Sequence, residues 1–131
     1  MVGIDIVAIG RIERIIARSG EEFLRRFLNS DEIKQCVFDN GRFNIQRIAG
    51  FYAAKEALSK ALGCGIGKDL AFSDINIIKN KSGKPKIKLK KCVKKIFHIK
   101  KIYLSISHER NRYHLGEKSG YAIAMVVIKK K

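Results

Sequence analysis

Hydrophobic residues recur at helical spacing through the first half of the chain. Residues 2–9, VGIDIVAI, are the exception: they are mostly β-branched and predict a buried strand, interrupted by one charge. Amphipathic helices are expected over residues 10–18 and over residues 21–28, where isoleucine, leucine and phenylalanine return every three or four positions. A third helix is predicted from a cap at Ser30 to about Val37.

A longer helix is predicted to begin near Asn44 and to end at Leu62. At 100° per residue, its apolar positions fall in one arc, formed by Phe51, Ala54, Ala57, Leu58, Ala61 and Leu62. Glu56 and Lys60 are placed nearly opposite that arc. The glycine-rich turn over residues 63–67 then stops the helix, since glycine accepts the left-handed conformation of a C-terminal cap.

The second half of the chain changes to strand periodicity. Its predicted elements are two strands of a hairpin (Asp74–Lys79 and Lys84–Leu89), a short basic helix (90–97), a strand (102–107), a polar loop (109–120) and a central apolar strand (121–128). Pro85 is tolerated because it lies at the start of its strand. Helices precede strands instead of alternating with them. We therefore expect one α+β domain over residues 1–131, with a mostly antiparallel sheet packed on the long central helix.

Charge is the strongest feature of the composition. The 131 residues carry a formal net charge of +16, with a dense lysine cluster over residues 79–101 and a basic tail at 129–131. This charge indicates an anionic partner, although solvated lysines explain it too. Three cysteines without a C-x-x-C pair favour a reduced protein, and neither a membrane helix nor a signal peptide is evident. We expect a cytoplasmic protein.

Four residues stand out as candidates for chemistry. Asp5 interrupts an apolar strand, so it either accepts backbone hydrogen bonds or binds a cation. Glu56 and Lys60 lie one turn apart and form either a solvated pair or a working pair. Two carboxylates suit magnesium, and Lys60 suits a phosphate. His108, predicted at a strand end, is either structural or part of the same site.

A set of motifs recurs in order over nearly the whole chain: GIDIV, RIERI, FLRRFL, AGFYAAKEALSKALGCGIG, FSDINI, SGKP, SISHE and YAIAMVVI. Together they resemble the holo-acyl-carrier-protein synthase family, within the 4′-phosphopantetheinyl transferases. The resemblance implies the 4′-phosphopantetheinyl transferase fold and the transfer of phosphopantetheine from coenzyme A to a serine of apo-acyl carrier protein, in fatty acid biosynthesis. It also implies magnesium as cofactor and a homotrimer with active sites at subunit interfaces.

Matching positions carry the family's roles to this chain. Asp5 and Glu56 resemble the magnesium ligands, and Lys60 resembles the partner of the coenzyme A phosphates. His108 resembles the histidine near the nucleotide end of coenzyme A, with Pro85 and the turn that contains Gly63 and Gly65 shaping the pocket. The arginines of the first helix resemble the surface that docks the acidic carrier protein; they are Arg11, Arg14 and Arg18. The general base for the carrier serine is Glu56 or a metal-bound water.

Two departures from the family are visible. Phe51 stands where many members have arginine, and the predicted loop over residues 109–120 is longer than the family's usual turn. A small basic nucleic-acid-binding domain is the rival interpretation, and a coenzyme A-binding module without catalysis is a third. The rival explains the charge, but it leaves Asp5 and Glu56 without a role. We therefore expect neither a nucleic-acid partner nor a membrane partner.

Overall fold

One long helix lies against a three-stranded antiparallel sheet and organises the fold. The structure, a computed structural model, describes residues 1–114 and 117–131, with side chains described outside residues 110–119. In chain order the elements are β1 (Val2–Ala8), α1 (Ile9–Ser19), α2 (Glu21–Arg25), α3 (Ser30–Gln35), α4 (Ile45–Leu62), β2 (Ile75–Lys79), β3 (Pro85–Leu89), α5 (Lys91–Ile96), β4 (Ile99–His114) and β5 (Glu117–Lys130). The predicted α+β class, with an antiparallel sheet packed on a long helix, is confirmed.

The strand order places the apolar last strand at the centre of the sheet, as predicted. β5 pairs with β1 on one side and with β4 on the other, and both pairings are antiparallel. Asp5 is opposite Ala124, which is opposite Ile106. β2 and β3 form a separate two-stranded hairpin, so the predicted sheet is divided in two. None of the helices in the described part of the chain is long and apolar enough to cross a bilayer.

The predicted polar loop over residues 109–120 is wrong. β4 continues to His114 and β5 begins at Glu117, with Glu109 opposite Tyr121 and Asn111 opposite Ser119. Ladder hydrogen bonds join backbone groups, so a polar sequence does not end an antiparallel pair when its partner strand continues in register. Of the predicted loop, only residues 115–116 lie outside the described residues.

Two helix predictions in the first half need correction. The third helix is capped by Asn29 rather than by Ser30, because the Asn29 side chain accepts from the Glu32 N–H while Glu32 accepts from the Asn29 N–H. This reciprocal pair is a capping box, in which the N-cap and the third helical residue satisfy each other's backbone N–H groups. The second helix is also shorter than predicted and ends at Arg25.

Gly3 brings the first strand into close contact with the long helix. A Cβ at Gly3 would overlap the backbone of Ala57 and Ala61, so only glycine fits where β1 crosses α4. Asp5 lies two residues further along β1, on the same face as Gly3 because side chains alternate along a strand. The sequence thus delivers the Asp5 carboxylate to the side of α4 that carries Lys60.

Candidate functional site

Three of the predicted site residues come together where β1 meets the second half of α4. Lys60 Nζ lies 2.7 Å from Asp5 Oδ1, and the two side chains are 53% and 14% exposed. Glu56 is one helical turn before Lys60 and is half-buried. Its carboxylate interacts electrostatically with both Asp5 and Lys60. The arrangement is therefore an open cluster of two carboxylates and one ammonium group.

The surroundings of Glu56 favour the protonated form of its carboxyl group. Burial raises the pKa of Glu56, and the neighbouring Asp5 charge raises it further, while Lys60 opposes both. The hydrogen bond to Asp5 raises the pKa of Lys60, which is protonated at neutral pH. A carboxylate held above its ordinary pKa, close to a second carboxylate, is the kind of group that accepts a proton or binds a cation.

Tyr52 is a neighbour of the cluster that our sequence reasoning missed. Its ring packs edge-on against Phe27, with ring centroids 5.1 Å apart. Burial and then the charge of Glu56 raise the pKa of the Tyr52 hydroxyl, and Arg11 of α1 counteracts them. Tyr52 and Glu56 are at i and i+4 of α4, a spacing that places both side chains on one face and could have identified this neighbour.

The arginines of α1 form an exposed row beside this cluster. Arg11, Arg14 and Arg18 are all exposed. Their spacing of three and four residues puts them on one side of the helix. Arg11 interacts electrostatically with Tyr52, which is itself a neighbour of Glu56.

A second group of predicted residues lies around a separate cavity at the first half of α4. Pro85 and His108 both line this cavity of about 330 Å³, together with Gly50 and Phe51. His108 itself is exposed and lies within β4, not at the strand end that the sequence predicted. Asp5, Glu56 and Lys60 are not among the residues that line the cavity.

Two cations that the sequence did not single out make this cavity suitable for an anion. Arg47 and Lys79 line it together with His108. Burial lowers the pKa of Lys79, and the positive charge of Arg47 lowers it further, so the two cations are close enough to repel each other. Arg47 lies one turn before Phe51 on α4. Arg47 therefore supplies a positive charge to the cavity, although Phe51 stands where many members of the resembled family have arginine.

The glycines predicted to shape the pocket lie elsewhere. Gly63 caps α4 in the left-handed conformation, with φ of 75°, and Gly65 follows in the same turn with φ of 67°. Both are exposed. They lie just beyond Lys60 and do not line the cavity that contains Pro85 and His108. Within one chain, the predicted site is therefore divided into two parts.

A second lysine of α4, Lys55, precedes Glu56 and, unlike Lys60, is buried. The helical-wheel analysis did not include it. Lys55 Nζ donates to Glu32 Oε1 at 2.9 Å and to Phe27 O at 2.6 Å. The two charged side chains are 1% and 0% exposed. Glu32 also accepts from the backbone N–H of Ile77, so the pair joins α4, α3 and β2. The missed signal is spacing, because Lys55 is four residues after Phe51 and three before Leu58 and so falls within the apolar arc.

Asp5 and Glu56 are the oxygen donors at this site that could hold a metal ion. Throughout the part of the chain that the structure describes, no three His, Cys, Asp or Glu side chains are grouped so that they could hold one. Asp5 and Glu56 remain as a neighbouring pair of oxygen donors. Such a pair fits magnesium, which commonly takes one or two carboxylates and completes its octahedron with water and substrate phosphate. The set does not fit zinc, which favours histidine and cysteine.

Comparison with known proteins gives a consistent result. A family model described as the 4′-phosphopantetheinyl transferase superfamily matches residues 1–126. The holo-[acyl-carrier-protein] synthase of Nautilia profundicola is 46% identical over 130 residues, covering 99% of this chain and 100% of that protein. The corresponding synthase of Aliarcobacter butzleri is 44% identical and covers all of both chains.

Solved structures agree with the sequence comparison. The Helicobacter pylori holo-[acyl-carrier-protein] synthase in complex with coenzyme A has a TM-score of 0.83 and 44% identity, covering 98% of this chain and 100% of that one. The Bacillus anthracis synthase, in complex with CoA (3′,5′-ADP), has a TM-score of 0.72 and 32% identity, covering 99% and 96%. Both similarities extend over nearly the whole chain.

Proposed function

The chain belongs to the 4′-phosphopantetheinyl transferase superfamily, and on that basis we propose that it transfers 4′-phosphopantetheine from coenzyme A to a serine of apo-acyl carrier protein. The products are holo-acyl carrier protein and 3′,5′-ADP, and the reaction serves fatty acid biosynthesis. The observation that carries this proposal is the cluster of Asp5, Glu56 and Lys60, in which two carboxylates lie beside one exposed ammonium group.

The cavity beside the first half of α4 supports coenzyme A as co-substrate. Arg47, Lys79 and His108 supply positive charge and hydrogen-bond donors around a space of about 330 Å³. This environment suits the phosphates at the nucleotide end of coenzyme A. Pro85 contributes a rigid wall at the start of β3.

Magnesium fits the other part of the site. Asp5 and Glu56 are the residues that would hold it, and when bound it would neutralise charge on the pyrophosphate of coenzyme A. Lys60 is exposed enough to exchange its contact with Asp5 for a contact with phosphate oxygen. The glycines of the turn after α4, Gly63 and Gly65, leave the backbone accessible to the same ligand.

The chain's own residues account for the proton and the leaving group. The serine oxygen attacks the β-phosphorus of coenzyme A, and the bond from that phosphorus to the bridging oxygen breaks. Glu56 accepts the serine proton, a role consistent with its raised pKa. Lys60 stabilises the negative charge that develops on 3′,5′-ADP. Most of the rate acceleration then comes from positioning and charge stabilisation.

The carrier protein is expected to dock on α1. Arg11, Arg14 and Arg18 present an exposed basic row that begins next to Tyr52 and Glu56. An acidic carrier would be steered to this row and would place its serine near Glu56. Salt is therefore expected to slow association strongly.

A homotrimer would unite the two parts of the site. The face of the sheet turned away from α4 exposes apolar side chains: Val2, Ile4, Ile6, Tyr103, Tyr121, Ile123, Met125 and Val127. A contiguous apolar patch of this kind marks a protein interface. We propose that subunits associate through this face, with the Asp5 cluster of one subunit and the His108 cavity of its neighbour contributing to one active site.

Mass spectrometry of apo-acyl carrier protein tests the transfer. Incubation with this protein, coenzyme A and magnesium is expected to add the mass of one phosphopantetheine to the carrier. A chelator is expected to prevent the addition, and a carrier with the target serine changed to alanine is the control. Coenzyme A binding without any mass addition, under conditions where a known synthase is active, would refute the proposal.

Subunit mixing tests the shared site. Asp5→Asn and His108→Ala are each expected to lose transfer when purified alone. Co-expression of the two variants is expected to restore part of the activity, because some interfaces then combine an intact Asp5 with an intact His108. If no activity returns although mixed oligomers are isolated, each site is complete within one chain. That result would leave the proposed transfer itself intact.

A further inference from the structure

The proposed reaction leaves one strongly charged surface unexplained. Residues 75–108 contain eleven lysines and neither aspartate nor glutamate. Two of these lysines have an identified position or partner in the fold. Lys79 lines the anion cavity, and Lys90 pairs with Asp74 at 2.9 Å.

Three of the other lysines, Lys94, Lys95 and Lys100, lie where three chain segments meet at one end of the sheet. α5 exposes Lys94 and Lys95, and β4 begins at Ile99, three residues after α5 ends. Ile99 at the start of β4 is opposite Lys130 at the end of β5, and the backbone N–H of Lys131 donates to His98 O at 2.8 Å. We call this region the basic end; it comprises Lys94, Lys95, Ile96, Lys100, Lys130 and Lys131.

The basic end is too far from the Asp5 cluster of the same chain to act there. Asp5 is level with Ile106 in the sheet, and Ile106 is seven residues from Ile99 along β4. At about 3.3 Å per residue, this corresponds to a distance of about 23 Å. Among the described residues, the lysines of the basic end have no ion pair that would neutralise them.

An exposed isoleucine lies among these charges. Ile96 is 68% exposed, more than any other large hydrophobic residue whose side chain the structure describes as exposed. Its helix is held to the core by Val93, which is buried, so Ile96 is presented outward. It does not belong to the apolar sheet face that we propose as the subunit interface.

We propose that the basic end is a docking surface for an anionic lipid bilayer. Lysines near such a surface are attracted by its negative potential, and an aliphatic side chain between them can enter the boundary with the acyl chains. A nucleic acid is the alternative polyanion. It would leave Ile96 without a partner, and the basic end offers it no arginine and no exposed Phe, Tyr or Trp for stacking. The proposal departs from our expectation that no membrane partner exists.

Co-sedimentation with vesicles tests the proposal on the full chain. The probes are vesicles of phosphatidylcholine mixed with phosphatidylglycerol, and vesicles of phosphatidylcholine alone. Binding is expected only to the mixed vesicles and is expected to weaken with salt. Lys94→Gln combined with Lys95→Gln is expected to lower the partition coefficient about 25-fold, on the basis of about fivefold for each lysine.

Two further variants separate this surface from general positive charge. Lys34→Gln combined with Lys68→Gln removes the same charge from exposed positions elsewhere and is expected to change binding only slightly. Ile96→Ser keeps every charge and is expected to lower the partition coefficient about tenfold. The turnover number for transfer, measured with saturating coenzyme A and carrier, is expected to remain unchanged in the Lys94/Lys95 variant. Failure of the membrane-docking proposal is therefore distinguishable from failure of the proposed reaction.

Two results would overturn the proposal. Equal loss of vesicle binding in the two double variants would show that net charge alone is responsible. The surface would be assigned to nucleic acid instead if single-stranded RNA bound at least as tightly as the mixed vesicles. That RNA binding would also have to be unaffected by Ile96→Ser and lost in the Lys94/Lys95 variant.

Discussion

Helix α4 carries two lysine–carboxylate pairs that have similar geometry and opposite surroundings. Lys55 meets Glu32 at 2.9 Å with both side chains almost completely buried, whereas Lys60 meets Asp5 at 2.7 Å with the lysine 53% exposed. The buried lysine is also bonded to the backbone carbonyl of Phe27. The exposed lysine can exchange its partner at a lower cost, because water reaches its ammonium group, although Asp5 is only 14% exposed. Burial therefore assigns the first pair to structure and leaves the second available for phosphate and metal.

Breaking the buried pair is expected to have the largest effect on stability. Glu32→Ala and Lys55→Ala should each lower the free energy of unfolding by about 3–5 kcal/mol, because each leaves a buried charge without its partner. Urea unfolding followed by circular dichroism measures this loss. The double variant Glu32→Leu with Lys55→Met should be less destabilised than the sum of the two single variants. A cost below about 1 kcal/mol for the single variants would mean that this pair behaves like an exposed one.

Removing the exposed lysine is expected to affect transfer far more than stability. Lys60→Ala should lower kcat/KM for transfer about 100-fold, as expected for the loss of a charged group that stabilises the transition state. The free energy of unfolding should change by less than about 1 kcal/mol. Lys34→Ala on α3 is the matched control, since that lysine is exposed and lies outside the site. Unaltered kcat/KM in the Lys60 variant would remove it from the mechanism.

Glu56 should make the exposed cluster a source of instability at neutral pH. Burial and the Asp5 charge raise its folded-state pKa. Stability from such a group is present below its unfolded pKa and is lost as pH rises through the folded pKa. Glu56→Gln stays neutral, so its Tm should exceed that of the parent at neutral pH, and the difference should close in acid. A lower Tm at neutral pH would contradict the assigned direction.

The smallest effect is expected at an ion pair outside both regions. Arg25 and Glu21 are 2.8 Å apart on α2, with side chains 72% and 50% exposed. Arg25→Ala should cost about 0.3–0.5 kcal/mol, the usual contribution of an exposed pair one turn apart on a helix. Chemical denaturation of Arg25→Ala and Lys55→Ala in parallel compares the loss of unfolding free energy at an exposed pair with the loss at a buried pair. A cost approaching that of Lys55→Ala would show that exposure does not separate these pairs.

Local patterns predicted much of the fold. The long helix was predicted from Asn44 to Leu62 and is observed from Ile45, with the Asn44 side chain accepting from the Arg47 N–H at its start. Gly63 ends it as predicted. The extension of β4 and β5 was missed, because strand length there depends on pairing with a distant segment and not on hydrophobic alternation.

Only part of the site was predicted, because the rest depends on contacts between segments that are far apart in sequence. Motif positions led to Asp5, Glu56 and Lys60, and the structure brings these three together. The burial of Glu32 and the approach of Arg47 to Lys79 depend on contacts between segments far apart in sequence, so no local pattern indicated them. The division of the predicted pocket also became visible only when β1 and β4 were placed on opposite sides of β5.

The most direct test of this account measures magnesium-dependent transfer by the Glu56→Gln variant. The substitution keeps the shape of the side chain and removes the charge that the proposed reaction requires. Glu22→Gln, an exposed change on α2, is the control for loss of one negative charge. We predict that Glu56→Gln folds with a higher Tm than the parent at neutral pH, and that it transfers phosphopantetheine to apo-acyl carrier protein far more slowly than the parent does. Full magnesium-dependent transfer by the folded Glu56→Gln variant would contradict the account.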